Sequence, residues 1–279
     1  MTNKTLTLSI VIPAYNEENY LRACLDSIAG QSVMPEEVIV VDNNSSDNTR
    51  AIAKSYGFVK LVREKQQHQS FAQKTGFDLA TSDIIGRIDA DSVLPTDWVQ
   101  NVKKHFSNQP ELVALSGGTL PYDMAAKNAS SRILSLYLGL ASRLAGVRML
   151  WGANCALRRS AWQEIRHRVL TRGDIWEDFD LSFCLAPHGE IMSFKDIDVA
   201  SSFRAVHKSI ITQTRYQFRA IRTFHLRTNM LKTATVFCIW STMYFMFLLV
   251  TLDRFGLSPA IRLLGSLRRA AKIVSLEAE

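Results

Sequence analysis

Asp89 and Asp91 stand one residue apart at the end of an apolar run, Ile84–Pro95 (IIGRIDADSVLP). Like charges that close repel, and neither residue adds to a core, so a positive group is needed nearby. An Asp-x-Asp at a strand end can place a carboxylate on a divalent cation. Mg²⁺ takes oxygen ligands, keeps several waters and commonly bridges substrate phosphates; Mn²⁺ accepts the same ligands. A nucleoside diphosphate would supply the remaining oxygens, and the metal–diphosphate pair would neutralise both acids. Taken alone the motif is weak, because two close acids in a loop are more often simply solvated.

Its weight comes from the elements that must position it. LSIVIP (8–13) is a short apolar strand. The next stretch puts Tyr20, Leu21, Cys24, Leu25 and Ile28 on one helical face, with Asn16 expected as N-cap and Gly30 as the stop. EVIVVD (37–42) and VKLVRE (59–64) are further strands, each followed by helix signals, the second of these over 70–80. IIGRID is a fourth strand, and 96–106 reads as another helix. Strands alternating with helices imply an α/β fold with a mostly parallel sheet and right-handed crossovers, covered by helices on both faces. Ligands bind such sheets at the carboxyl ends of the strands. Glu17, Asp42, Glu64, Asp89 and Asp91 all fall at those ends, so one edge gathers the acids.

The 279 residues suffice for a full core. The net charge of +7 is unevenly placed: Arg204, Lys208, Arg215, Arg219, Arg222, Arg227 and Lys232 follow one another with no acid between them. Such a block suits a phosphate-rich partner. Arg215, Arg219 and Arg222 share one helical face that can lie on anionic lipid, grip a diphosphate or remain solvated. No nucleic-acid motif accompanies them, and no nucleic-acid partner is expected. Residues 233–252 carry no charge over twenty positions, long enough to span a bilayer. A span, an interfacial helix and a buried helix all fit that run, and the basic flanks on both sides give no orientation. Cys24, Cys155, Cys184 and Cys238 show no paired spacing and read as reduced thiols, which suits the cytosol.

Five segments in this order, Val11–Ile28, Val38–Thr49, Ile85–Pro95, Trp151–Arg159 and Trp176–Leu181 (WEDFDL), resemble family 2 of the glycosyltransferases, nucleotide-sugar enzymes of the GT-A fold. The resemblance covers about residues 6 to 205 and implies a GT-A-like, Rossmann-like domain over 1–205. Beyond it are expected a basic helical linker over 206–232 and a membrane-associating helical segment over 233–279. The resemblance implies that Pro13, Ala14 and Glu17 border the nucleotide, that Asp42 contacts the base, and that Asp89 lies near ribose or metal. Asp91 becomes the metal ligand and Asp178 the catalytic base of an inverting transfer.

Trp151, Gly152, Asn154, Trp176 and Glu177 are acceptor-side candidates, each with a plain core or turn reading beside it. Lys74, where the family often has Ala-Arg-Asn-x-Gly, can still reach a phosphate. His207 is a further candidate metal or diphosphate ligand, or a solvated histidine. The Gln-x-x-Arg-Trp motif of processive synthases is absent, so one sugar per event is expected. Mn²⁺ or Mg²⁺, a nucleoside-diphosphate sugar, a saccharide or lipid-linked acceptor, and the cytoplasmic face of the cell membrane complete the expectation. The alternatives are another metal-dependent nucleotide enzyme and an inactive membrane-bound scaffold of the same fold.

Overall fold

The computed structural model describes residues 5–123, 136, 139–202, 204, 210–235, 237 and 241. Its centre is a seven-stranded sheet. Strands β1 (Leu8–Ala14), β2 (Glu37–Asp42), β3 (Val59–Arg63) and β4 (Ile84–Ile88) pair in parallel in the order β3-β2-β1-β4. Past β5 (Ser92–Val93), β6 (Leu112–Ser116) and β7 (Thr119–Pro121), strand β8 (Asn154–Arg158) runs antiparallel between β4 and β6. Strand β9 (Glu190–Ser193) closes that edge. Strands β5, β10 (Val199–Ser201) and β7 form a separate small sheet. The late strands β9 and β10 are thus divided between the two sheets.

The strands are apolar on both faces because both are covered. Leu8, Ile10 and Ile12 of β1 pack on one side with Leu21, Cys24, Leu25 and Ile28 of α1 (Leu21–Ala29) and with Trp98, Val102 and Phe106 of α4 (Trp98–Asn108). Val11, Ile39 and Val41 face the other side. There they meet Phe77 of α3 (Gln69–Leu79), Trp162 of α5 (Arg159–Ile165) and Leu181 of α6 (Glu177–Leu185). Gly76 lets α3 lie close on the sheet, since a Cβ there would come 2.3 Å from Val11 Cγ1. Between them, α2 (Thr49–Lys54) links β2 to β3.

Asn16 is not the cap of α1, which begins five residues later. It adopts a left-handed φ of 55° and its Oδ1 accepts from Ser46 N–H at 2.9 Å. The main chain of the following residues leans on the same loop: Glu17 N–H donates to Thr49 Oγ1 and Glu18 N–H to Asp47 Oδ2. Asn16 thus ties the loop after β1 to the loop after β2.

The segment expected as a basic helical linker holds helix α7 (Ile210–Arg227), whose Ala220, Thr223 and Phe224 are fully buried. It belongs to the first of two compact units, Met1–Asn229 and Met230–Glu279. In the second unit, residues 230–235 are helical. Most of the uncharged run 233–252, the basic tail and His207 lie outside the described residues. Among the described residues no helix is long and apolar enough to cross a membrane.

Asn154, expected near an acceptor, is fully buried and locks the two sheets together. Its Oδ1 accepts from Trp98 Nε1 at 2.9 Å, and its Nδ2 donates to the carbonyls of Gly118 (3.0 Å) and Ile197 (2.7 Å). Asn154→Ala strands all three partners inside the protein, and a loss of roughly 3 kcal/mol is expected in urea unfolding. An unchanged midpoint would show that water replaces the amide there.

Candidate functional site

The acids collect where the strand order placed them. Ala14 and Asp42 are register partners at the ends of β1 and β2. Asp42 is fully buried; its Oδ1 accepts from Ser45 N–H at 3.0 Å, while Oδ2 has no hydrogen-bond partner and stands 3.6 Å from Arg50. Pro13 precedes Ala14 within β1, opposite Val41. Glu17, in the clamped loop, is nearly buried and also leaves one oxygen, Oε2, unpartnered.

Asp89 and Asp91 follow β4 but have different surroundings. The Asp89 side chain is 34% exposed and that of Asp91 only 9%. The small second sheet accounts for the difference: Ser201 at the end of β10 donates to Asp91 Oδ1 at 3.0 Å, and Arg204 lies 3.3 Å from Oδ2. Arg204 also pairs with Glu17 and covers the ring of Tyr20, 4.3 Å from its centroid. Burial, and then the neighbouring charge of Asp89, lift the Asp91 carboxyl to about 7, and burial raises Glu17 as well.

The fourth strand carries the residue that joins the two halves of the site. Arg87 is a buried arginine inside an apolar strand. Its Nη2 meets Asp89 Oδ1 at 2.8 Å, its Nη1 meets Asp178 Oδ1 at 2.9 Å, and Glu177 is 3.9 Å away. Burial opposes its charge, but Asp89, Asp178 and Glu177 outweigh that and hold the guanidinium firmly protonated. Asp178 has its second oxygen on Gly152 N–H at 3.0 Å. Gly152 is required there by space: a Cβ would fall 1.5 Å from Arg87 Nη1 and 2.0 Å from Asp178 Oδ1. Burial raises the pKa of Asp178; burial, and then the charge of Asp178, push that of Glu177 up to about 7.

On the acceptor side, Trp151 is half-buried, and its indole N–H is enclosed without a partner. Trp176 stacks on Phe179 with centroids 4.7 Å apart. Lys74 is not brought to the strand ends: its ammonium pairs with Asp78 one turn along α3 and lies over the Trp162 ring. Arg87 and Ser201 belong to none of the candidates drawn from the sequence, and Arg204, expected only as part of the basic block, pairs with Glu17 and Asp91. An arginine inside an apolar strand was the available signal for the first, because a buried charge must be paired.

Among the described residues no three His, Cys, Asp or Glu side chains form a ready-made metal site. An ion that shares its coordination with a diphosphate needs only one or two protein carboxylates. Asp91 and Asp89 fit that need, and the buried, unpartnered Glu17 oxygen beside them marks an edge short of positive charge.

The carboxyls of Asp91 and Glu177 ionise at about 4 in an unfolded chain and at about 7 in the fold. Between those values the folded protein holds more protons, so these two groups make it less stable as pH rises. Relative to Asp91→Asn/Glu177→Gln, the wild-type protein is expected to lose stability from about pH 4 to about pH 7 in urea unfolding. A difference that is flat, or that grows in favour of wild type, would contradict the burial of these carboxyls.

The model of the family described as glycosyl transferase family 2 matches residues 9–166. Among curated proteins, a Bacillus subtilis protein bearing the glycosyltransferase name EpsH is 24% identical over 224 residues, covering 77% of this chain and 64% of the relative. The chain therefore spans less than two thirds of that relative's length. Among solved structures, S. aureus TarS 1-349 in complex with UDP-GlcNAc superposes with a TM-score of 0.60 at 16% identity, covering 79% of this chain and 65% of that one. Mannosyltransferase PcManGT of Pyrobaculum calidifontis, in complex with GDP-Man and Mn²⁺, gives 0.56 at 17% identity, covering 91% and 81%. These likenesses show a GT-A-like fold.

Proposed function

The chain belongs to glycosyl transferase family 2, and from that premise we propose that it moves one sugar from a nucleoside-diphosphate sugar to an acceptor hydroxyl with inversion. The observation that carries this reading is the Arg87 guanidinium, which holds Asp178 and Asp89 at once. It keeps a proton acceptor and a donor-side carboxylate at a fixed separation across one buried group, as a single displacement requires. The nucleotide complexes of TarS and PcManGT support the donor class.

In this reading Pro13, Ala14, Glu17 and Asp42 border the nucleoside, and Asp91 with Asp89 would hold Mn²⁺ or Mg²⁺. When bound, the ion offsets charge developing on the leaving diphosphate. The acceptor oxygen forms its bond to the anomeric carbon as that carbon's bond to the diphosphate breaks. The hydroxyl proton passes to Asp178. Gly152 N–H and Arg87 fix the orientation of that carboxylate and leave its remaining lone pairs for the acceptor. Trp151 supplies a half-buried ring on the acceptor side.

A second assignment of the base has one observation in its favour: Glu177 has its carboxyl at about 7, where a general base is most effective near neutrality. The acid-free run 204–232 and the uncharged run 233–252 support contact with a membrane; a lipid-linked acceptor for cell-envelope glycan synthesis, met at the cytoplasmic face, is the acceptor we propose to go with it.

Calorimetry with UDP, GDP and dTDP, with and without Mn²⁺, tests the donor site. One diphosphate is expected to bind with metal, and more weakly to Asp91→Asn. Asp178→Asn should bind that diphosphate normally yet lose about a thousandfold in kcat. A comparable loss in Glu177→Gln, with Asp178→Asn active, would move the base to Glu177. Failure of every diphosphate to bind, or turnover of nucleoside triphosphates alone, would contradict glycosyl transfer.

A further inference from the structure

Helix α7 has one face inside the protein and one stripe outside. Arg215, Phe218, Arg222 and His225 follow one another at three- and four-residue spacing, Leu226 lies four residues after Arg222, and all five are exposed, Phe218 at 61% and Leu226 at 44%. An aromatic ring left that open between arginines gains nothing from its own fold. Among the described residues Asp174 is the acid paired with the stripe, and it already serves two cations, Arg172 at 2.8 Å and Arg222 at 2.9 Å. The stripe therefore keeps a positive excess, in a segment with no acid from Arg204 to Lys232. In sequence it leads directly into the uncharged run 233–252.

We propose that this stripe of α7 docks on the surface of an anionic lipid bilayer, with the arginines at the headgroups and Phe218 and Leu226 in the boundary below them. Apolar side chains interleaved with cations on one helix face suit that interface. The opposite face of α7 clasps α6, the helix that opens with Glu177 and Asp178. Thr223 Oγ1 accepts from Trp176 N–H at 2.8 Å, Arg227 Nε donates to the buried Asp180 at 2.7 Å, and the Phe224 ring meets Phe179 and Phe183 edge-on. Docking of α7 thus fixes the helix bearing the acceptor-side carboxylates relative to the membrane plane. The acceptor class that follows is a saccharide carried on a lipid; that step alone rests on the glycosyl-transfer reading above.

The test uses the full chain with Phe218→Cys in a Cys238→Ser background, labelled with an environment-sensitive fluorophore. Vesicles of phosphatidylcholine alone and of phosphatidylcholine with phosphatidylglycerol are the probes. The label is expected to shift to the blue on the anionic vesicles. Adding Arg215→Gln/Arg222→Gln should weaken that response about thirtyfold, given roughly 1 kcal/mol per arginine at the surface. Binding of nucleoside diphosphate should be unchanged in that variant. A label that stays in water while the protein sediments with vesicles would overturn the proposal and leave membrane attachment to residues 233–279. Equal response to neutral vesicles would overturn the role of the arginines. The shift is also expected in Asp178→Asn, so loss of transfer and loss of docking are read separately.

Discussion

One guanidinium holds the site together. Arg87 is an ion in the middle of a buried sheet, and an unpaired charge there would be prohibitive. It is tolerated because three carboxylates surround it: Asp89 beyond the end of its own strand, and Glu177 and Asp178 at the start of a helix much later in the chain. The constraint works in both directions. Without Arg87 the acids repel one another, and without the acids the arginine has no place in β4. Gly152 belongs to the same constraint, since no side chain fits between Arg87 and Asp178.

A second cation does the same for the outer acids. Arg204 lies between Glu17 and Asp91, supplied by the chain just after β10. The small sheet that carries β10 is therefore part of the site: it brings Ser201 and Arg204 to an aspartate that follows β4. Asn154 joins that sheet to the large one, which makes its buried amide a condition for the geometry of the acids.

Much of this was legible in the sequence. The alternation of strands and helices, the acids at strand ends and five ordered motifs led to the right fold family. What was not legible depended on contacts between distant segments. Asn16 has the chemistry of a helix cap, but the neighbouring loop offered Ser46 N–H and the helix began later. Asn154 falls in an acceptor-like motif, yet its amide is consumed by Trp98 and two carbonyls. Lys74 is one turn from Asp78 on the same helix, and that local pair prevails over a reach to the strand ends. The need for positive charge beside Asp89 and Asp91 was evident, but its local source, two arginines with one inside a strand, was not.

The most direct test of the account is a double-mutant cycle on kcat with Arg87→Met, Asp178→Asn and the pair together, in proteins confirmed as folded. If Arg87 acts by holding Asp178 against the donor-side carboxylate, the pair loses little more than Asp178→Asn alone. If the two losses simply multiply, Arg87 and Asp178 act independently and the coupling described here is wrong.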